Sequence, residues 1–110
     1  TVLLKGSTTL VAEADLPTRA NLTGIPWLAT GGTGDVLAGL AGALLSAGLS
    51  CYDAASCAAY LHGLAARLLS RGAPLSAGGL LTAIPEAIRE TGREANAGRE
   101  ASPAPARPVA

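Results

Sequence analysis

The sequence has no methionine and no phenylalanine, and only 3% of its 110 residues are aromatic. Its apolar content, 49%, therefore comes almost wholly from Leu, Ala, Val and Ile. A core of such residues is built in thin aliphatic layers that let backbones approach at Gly and Ala. Charged residues are also scarce: they make up 15% of the chain, against roughly 25% in typical domains, so we expect part of its apolar surface to be covered by something else. Eight basic and eight acidic side chains cancel, which excludes a basic field for nucleic acid or anionic lipid, and neither partner is expected. Cys51 and Cys57 lie six apart with no further cysteine, so neither a disulfide framework nor a zinc site is signalled. Both are expected to be buried small apolar residues in a cytoplasmic protein. The longest apolar run, residues 36–49, is rich in glycine and too short to cross a bilayer, which needs roughly 18 to 20 residues. The chain opens at Thr1 inside a strand-like run and offers no start residue or leader, so it is expected to be the downstream piece of a longer polypeptide.

What is present divides by periodicity. Residues 2–5 (VLLK) and 9–12 (TLVA) read as two short strands around the turn Gly6-Ser7-Thr8, and residues 19–23 as a possible third before Gly24-Ile25-Pro26 forces a loop. From Thr33 the period becomes helical, with Val36, Leu37, Leu40, Leu44 and Leu45 on one stripe and Gly48 as the stop. Ser50-Cys51-Tyr52-Asp53 has the form of a capping box for a second helix reaching about Ser70, with Ala54, Ala58, Leu61, Ala65 and Leu68 as its apolar row. Residues 76–79 are expected to cap a third helix over about 79–91, kinked or restarted by Pro85. Residues 1–91 thus form the structured part, and the Glu, Arg, Ala, Gly, Ser and Pro composition of residues 92–110 predicts a disordered tail.

The stretch that carries chemistry is Gly31-Gly32-Thr33-Gly34-Asp35. Glycines just ahead of a helix let backbone amides converge at the positive end of its dipole, so Gly31, Gly32, Thr33 and Gly34 are a candidate anion hole for a phosphate or a transferring phosphoryl group. Asp35, in the first turn of that helix, would take a proton from a substrate hydroxyl attacking phosphorus. The alternative on pattern alone is that Thr33 or Asp35 caps the helix and the glycines merely turn the chain.

Gly31 to Gly39 (GGTGDVLAG), preceded by Leu4-Lys5-Gly6-x-x-Thr9 and followed by Tyr60-Leu61-His62-Gly63-Leu64-Ala65, resembles the C-terminal part of the ADP- or ATP-dependent NAD(P)H-hydrate dehydratases of the ribokinase-like superfamily. The resemblance covers residues 2–88 but less than half of the family's domain. It implies the C-terminal portion of a three-layer α/β/α fold, with edge strands followed by three helices. It also implies an enzyme that uses ADP or ATP, with Mg²⁺, to phosphorylate a hydroxyl of the S-epimer of hydrated NADH or NADPH and then eliminate phosphate. Carried over by motif, Lys5, Gly6, Ser7, Thr8, Thr9 and Gly34 match adenine-nucleotide contacts, and Asp35 matches the residue at the hydrated substrate and is the catalytic candidate. No metal-ligand cluster is assigned. A homo-oligomer is expected, and the isolated piece is expected to be inactive.

The sequence also departs from that pattern. Ile25 and Trp27 replace a small polar residue and a glycine of the usual Asn-Pro-Thr-Gly-Asn-Pro-Gly, and Ala66-Arg67 stands where Gly-Asp is common. The indole is expected to plug the mouth of the site or to stack on a nicotinamide or adenine ring. His62, the only histidine, reads as a packed structural residue, and Lys5, the only lysine, as a phosphate contact or a snorkelling surface charge. The competing readings are a hydroxymethylpyrimidine- or sugar-kinase type of the same superfamily, which would stop at phosphorylation, and a non-catalytic module. Thr33, where sugar kinases often have Ala, and the Leu-His-Gly motif favour the dehydratase.

Overall fold

The computed structural model describes residues 1–102 and is a small α/β assembly: a three-stranded antiparallel sheet followed by a 3₁₀ turn and three helices. Strands β1 (Val2–Leu4), β2 (Thr9–Ala12) and β3 (Arg19–Asn21) lie in the order β1-β2-β3, with Leu3 opposite Val11 and Leu4 opposite Leu10. Successive strand residues point to opposite faces. Leu3 and Val11 therefore face the helices and pack with Tyr52 and Ala55, while Val2, Leu4 and Leu10 stand exposed on the other face. That open face is the apolar surface that the low charge content led us to expect.

Helix α1 (Thr33–Ser46) buries Leu37 and half-buries Val36, Leu40 and Leu44 of the expected stripe but leaves Leu45 exposed, and helix α2 (Cys51–Ser70) lies at the centre of the molecule, packed on α1, on the sheet and on helix α3 (Ala77–Ala101). Alanines make α2 suitable for this place. Ala54, Ala58, Ala65 and Ala66 are fully or almost fully buried, and the core around Ala65 and Ala66 is completed by Leu75, Leu80 and Ala87. Ser50 caps α2 as anticipated, its hydroxyl accepting from the Asp53 amide, but the Asp53 carboxylate pairs with Arg19 at 2.9 Å. Arg19 also lies over the Tyr52 ring, 3.8 Å from its centroid, so β3 is tied to the first turn of α2.

Two expectations fail here. The third helix neither restarts at Pro85 nor ends near residue 91: α3 runs unbroken to Ala101, and residues 92–101 are helical. Pro85 removes the donor that would reach the Leu81 carbonyl, but Leu81 is exposed, so that carbonyl can be solvated. Beyond residue 91 no apolar face is needed, because helix formers and ion pairs sustain the helix. Arg93 bridges Glu86 and Glu90, Arg89 pairs with Glu86, and Tyr60 of α2 donates to Glu94 at 3.2 Å. The rest of the expected tail, residues 103–110, lies outside the described residues. The cysteines were also misplaced. Cys51 and Cys57 are free thiols on the exposed side of α2, because the helix is buried along its alanine rows and they fall off them.

Candidate functional site

A cleft of about 570 Å³ opens where the β1–β2 turn, the residues after β3, the N-terminus of α1 and the middle of α2 meet. Of the residues singled out by sequence, Lys5, Gly6, Ser7, Thr9, Thr33 and Gly34 line it. Thr8, Gly31, Gly32 and Asp35 are outside its lining and exposed. The structure adds Asn21, Gly24, Ile25, Ala59 and His62.

The glycine turn is built by conformation rather than by side-chain capping. Gly32 is the N-cap of α1 with φ of 90°, the left-handed region that side chains rarely adopt, and neither Thr33 nor Asp35 caps the helix. The Thr33 hydroxyl instead points back to the carbonyls of Leu28 (2.6 Å) and Thr30 (2.9 Å), pinning the 3₁₀ turn Pro26–Ala29 to the helix start.

The amides of this turn do different jobs. Those of Thr33 and Asp35 are donated to the carbonyls of Thr30 and Gly32, whereas those of Gly31, Gly32 and Gly34 have no backbone acceptor among the described residues. Of these three, Gly34 is the one lining the cleft. Above it sits the lysine: a Cβ placed on Gly34 would come within 2.7 Å of the Lys5 Nζ. A cation, an available amide and the positive end of a helix dipole thus converge on one wall, the combination that holds phosphate oxygens. Asp35 stands beside it in the first turn, where its carboxylate also suits the dipole.

Two residues of the Leu-His-Gly motif explain how this wall is held. His62, buried mid-helix, donates its Nε2 proton to the Thr33 carbonyl at 2.8 Å, fixing the turn against α2. A carbonyl only accepts, so Nε2 carries a proton, and the pKa of the ring is pushed down by burial and by the nearby Lys5 ammonium and only partly restored by the bond to Thr33, which favours the neutral form. Gly63 lets the chain after β3 lie directly on the helix: a Cβ there would overlap the Thr23 hydroxyl and come within 2.7 Å of the Thr23 carbonyl carbon and 2.8 Å of the Gly24 nitrogen. Asn21 donates to the Ala59 carbonyl (3.1 Å), and the Thr23 hydroxyl donates to the Tyr60 backbone carbonyl (3.0 Å). The indole of Trp27 neither plugs this cleft nor faces it. It is half exposed and lines a separate shallow depression with Ile25, Pro26, Arg67, Ser70 and Gly72.

Among the described residues no group of three or more His, Cys, Asp or Glu side chains gathers where it could hold a metal ion. No helix among them is long and apolar enough to cross a membrane.

The fold and the cleft define an α/β chain with a lysine-capped glycine turn at the start of a helix. Residues 1–89 match the model of the NAD(P)H-hydrate dehydratase family, and the chain belongs to that family. It is 45% identical over 89 residues to the ADP-dependent (S)-NAD(P)H-hydrate dehydratase of Neisseria meningitidis serogroup B, an alignment covering 81% of this chain and 30% of that protein. It is 48% identical over 68 residues to the bifunctional NAD(P)H-hydrate repair enzyme Nnr of Mycobacterium leprae, covering 62% of this chain and 14% of that one. The enzyme of the same name from Hyperthermus butylicus is 40% identical over 97 residues, which is 86% of this chain and 18% of the relative. The chain thus spans less than a third of the length of these curated relatives.

Proposed function

We propose that this chain is the nucleotide-phosphate-binding part of an ADP-dependent (S)-NAD(P)H-hydrate dehydratase, with ATP as the other candidate phosphoryl donor, and the C-terminal portion of a three-layer α/β/α domain. The observation that carries the reading is the convergence of the Lys5 ammonium on Gly34, at the N-terminus of α1 and beside Asp35. In this reading Lys5 and the Gly34 amide hold the terminal phosphates, and residues 6–9 flank the nucleotide. As the substrate hydroxyl attacks the terminal phosphorus, its proton passes to Asp35, and the P–O bond to the nucleotide breaks. The phosphate ester then leaves as inorganic phosphate, the adjacent ring carbon losing a proton, which restores NADH or NADPH.

The name of the Neisseria relative specifies ADP and the S-epimer, and its 45% identity supports carrying both to this chain. The test is recovery of reduced-nicotinamide absorbance from hydrated NADH, with ADP and separately with ATP, by a protein carrying this chain together with the remainder of the length its relatives span. Recovery with ADP is expected. Accumulation of a stable phosphorylated product would turn the reading into a kinase, and full activity in Asp35→Asn would remove Asp35 from the chemistry.

A further inference from the structure

We propose that Arg67 is a positioning residue of the cleft: its guanidinium fixes the backbone after β3, so that Gly24, Ile25 and Pro26 form a defined wall of the nucleotide site. The role rests on the reading of the cleft given above, although the geometry that carries it does not. β3 ends at Asn21, and the next two carbonyls, of Leu22 and Thr23, have left the sheet ladder. Carbonyls that leave a ladder turn to water or to side-chain donors. Arg67 supplies both, Nε to Thr23 at 2.5 Å and an Nη to Leu22 at 2.8 Å, across 44 and 45 positions of sequence. Its planar fork presents the two donors in a fixed geometry and makes both bonds charge-assisted.

The residues it holds are those of the cleft wall. Gly24, Ile25 and Pro26 follow directly in the chain, and Gly63, one turn before Arg67 on α2, lets the same segment lie on the helix. On its other side Ile25, Pro26 and Trp27 line the shallow depression together with Arg67. Arg67 does not line the main cleft, and its effect on a ligand passes through the backbone it holds.

Arg67→Met keeps the aliphatic stem and removes both bonds, and Arg67→Lys keeps the cation but loses the fixed planar fork. Backbone amide hydrogen exchange across residues 22–29, followed by mass spectrometry, should quicken about tenfold in Arg67→Met and less in Arg67→Lys, with the central turns of α2 unchanged. ADP affinity, by calorimetry, should fall in the same order: Arg, then Lys, then Met. Equal exchange in the three proteins overturns the proposal, as does exchange that rises equally throughout the chain, which would mark a general loss of stability. If Arg67→Met does not fold, the comparison of Arg67→Lys with the parent decides alone. If the parent does not bind ADP, the nucleotide reading fails while the exchange order still tests the clamp.

Discussion

Gly34 is the residue at which space and charge are most closely balanced. A methyl group there would meet the tip of the Lys5 side chain, which is flexible and can swing away. Gly34→Ala should therefore leave thermal stability within about 1 kcal/mol of the parent, helped by the better helix propensity of alanine. It should nonetheless weaken ADP binding about tenfold, because one charge-assisted contact would be displaced. Thermal melts and isothermal calorimetry on the same protein separate the two effects, and equal affinity in the variant would show that Lys5 and Gly34 do not act together. Asp35 is expected to behave in the opposite way: Asp35→Asn should leave nucleotide affinity nearly unchanged and lower turnover by about 10² to 10⁴, the range of a lost general base. Steady-state kinetics with hydrated NADH reads that difference.

Among the elements, α2 does the positioning, and its alanines and one glycine are what allow it to. Gly63→Ala would push a Cβ into the Thr23 hydroxyl and also into backbone atoms of Thr23 and Gly24, which cannot swing away as a flexible side-chain end can. The segment or the helix must shift, at a cost of about 1 to 3 kcal/mol, read as a lowered midpoint in thermal or urea unfolding. An unchanged or raised midpoint would mean that the segment yields freely.

The strands, the start of α1 and the span of α2 were legible in the sequence because each is marked locally: a turn tripeptide between apolar runs, glycines before an apolar stripe, Ser50 at a cap. The clamp was not. The bonds of Arg67 and His62 cross 29 to 45 positions, and no local pattern records which carbonyls an arginine will find. The continuation of α3 was missed for a related reason. Its support comes from Glu–Arg pairs and from Tyr60 on another helix, and an apolar face, the local mark of a helix, is absent from this stretch. Asp35 is the candidate the motif singles out, yet it lies outside the cleft lining although Gly34, one residue earlier, is part of it.

At the scale of the whole molecule, the sole histidine joins the site to global stability. In the folded chain the His62 pKa lies below its ordinary 6.5, chiefly through burial, with Lys5 adding to the effect. The unfolded chain therefore binds a proton at a higher pH than the folded one does. Stability should rise with pH between the folded-state value and about 6.5, be complete above that window, and be lost as pH falls through it. The depressed carboxylates act lower on the scale: Asp53 beside Arg19, and Glu86 between Arg93 and Arg89, are lowered from 3.8 and 4.5, so their contributions fade only as pH falls further. His62→Gln separates the two regions, because its side-chain amide can still donate to the Thr33 carbonyl but carries no proton in this range. Urea midpoints measured in half-unit steps from pH 5.5 to 8, above the range of the carboxylates, should show a slope below 6.5 in the parent and a flat line there in the variant. The same variant should retain most of the parent's stability at pH 8, where both side chains are neutral donors. A parent curve that is flat through this window, or a slope that survives in His62→Gln, would show that the fold does not hold His62 in its neutral form.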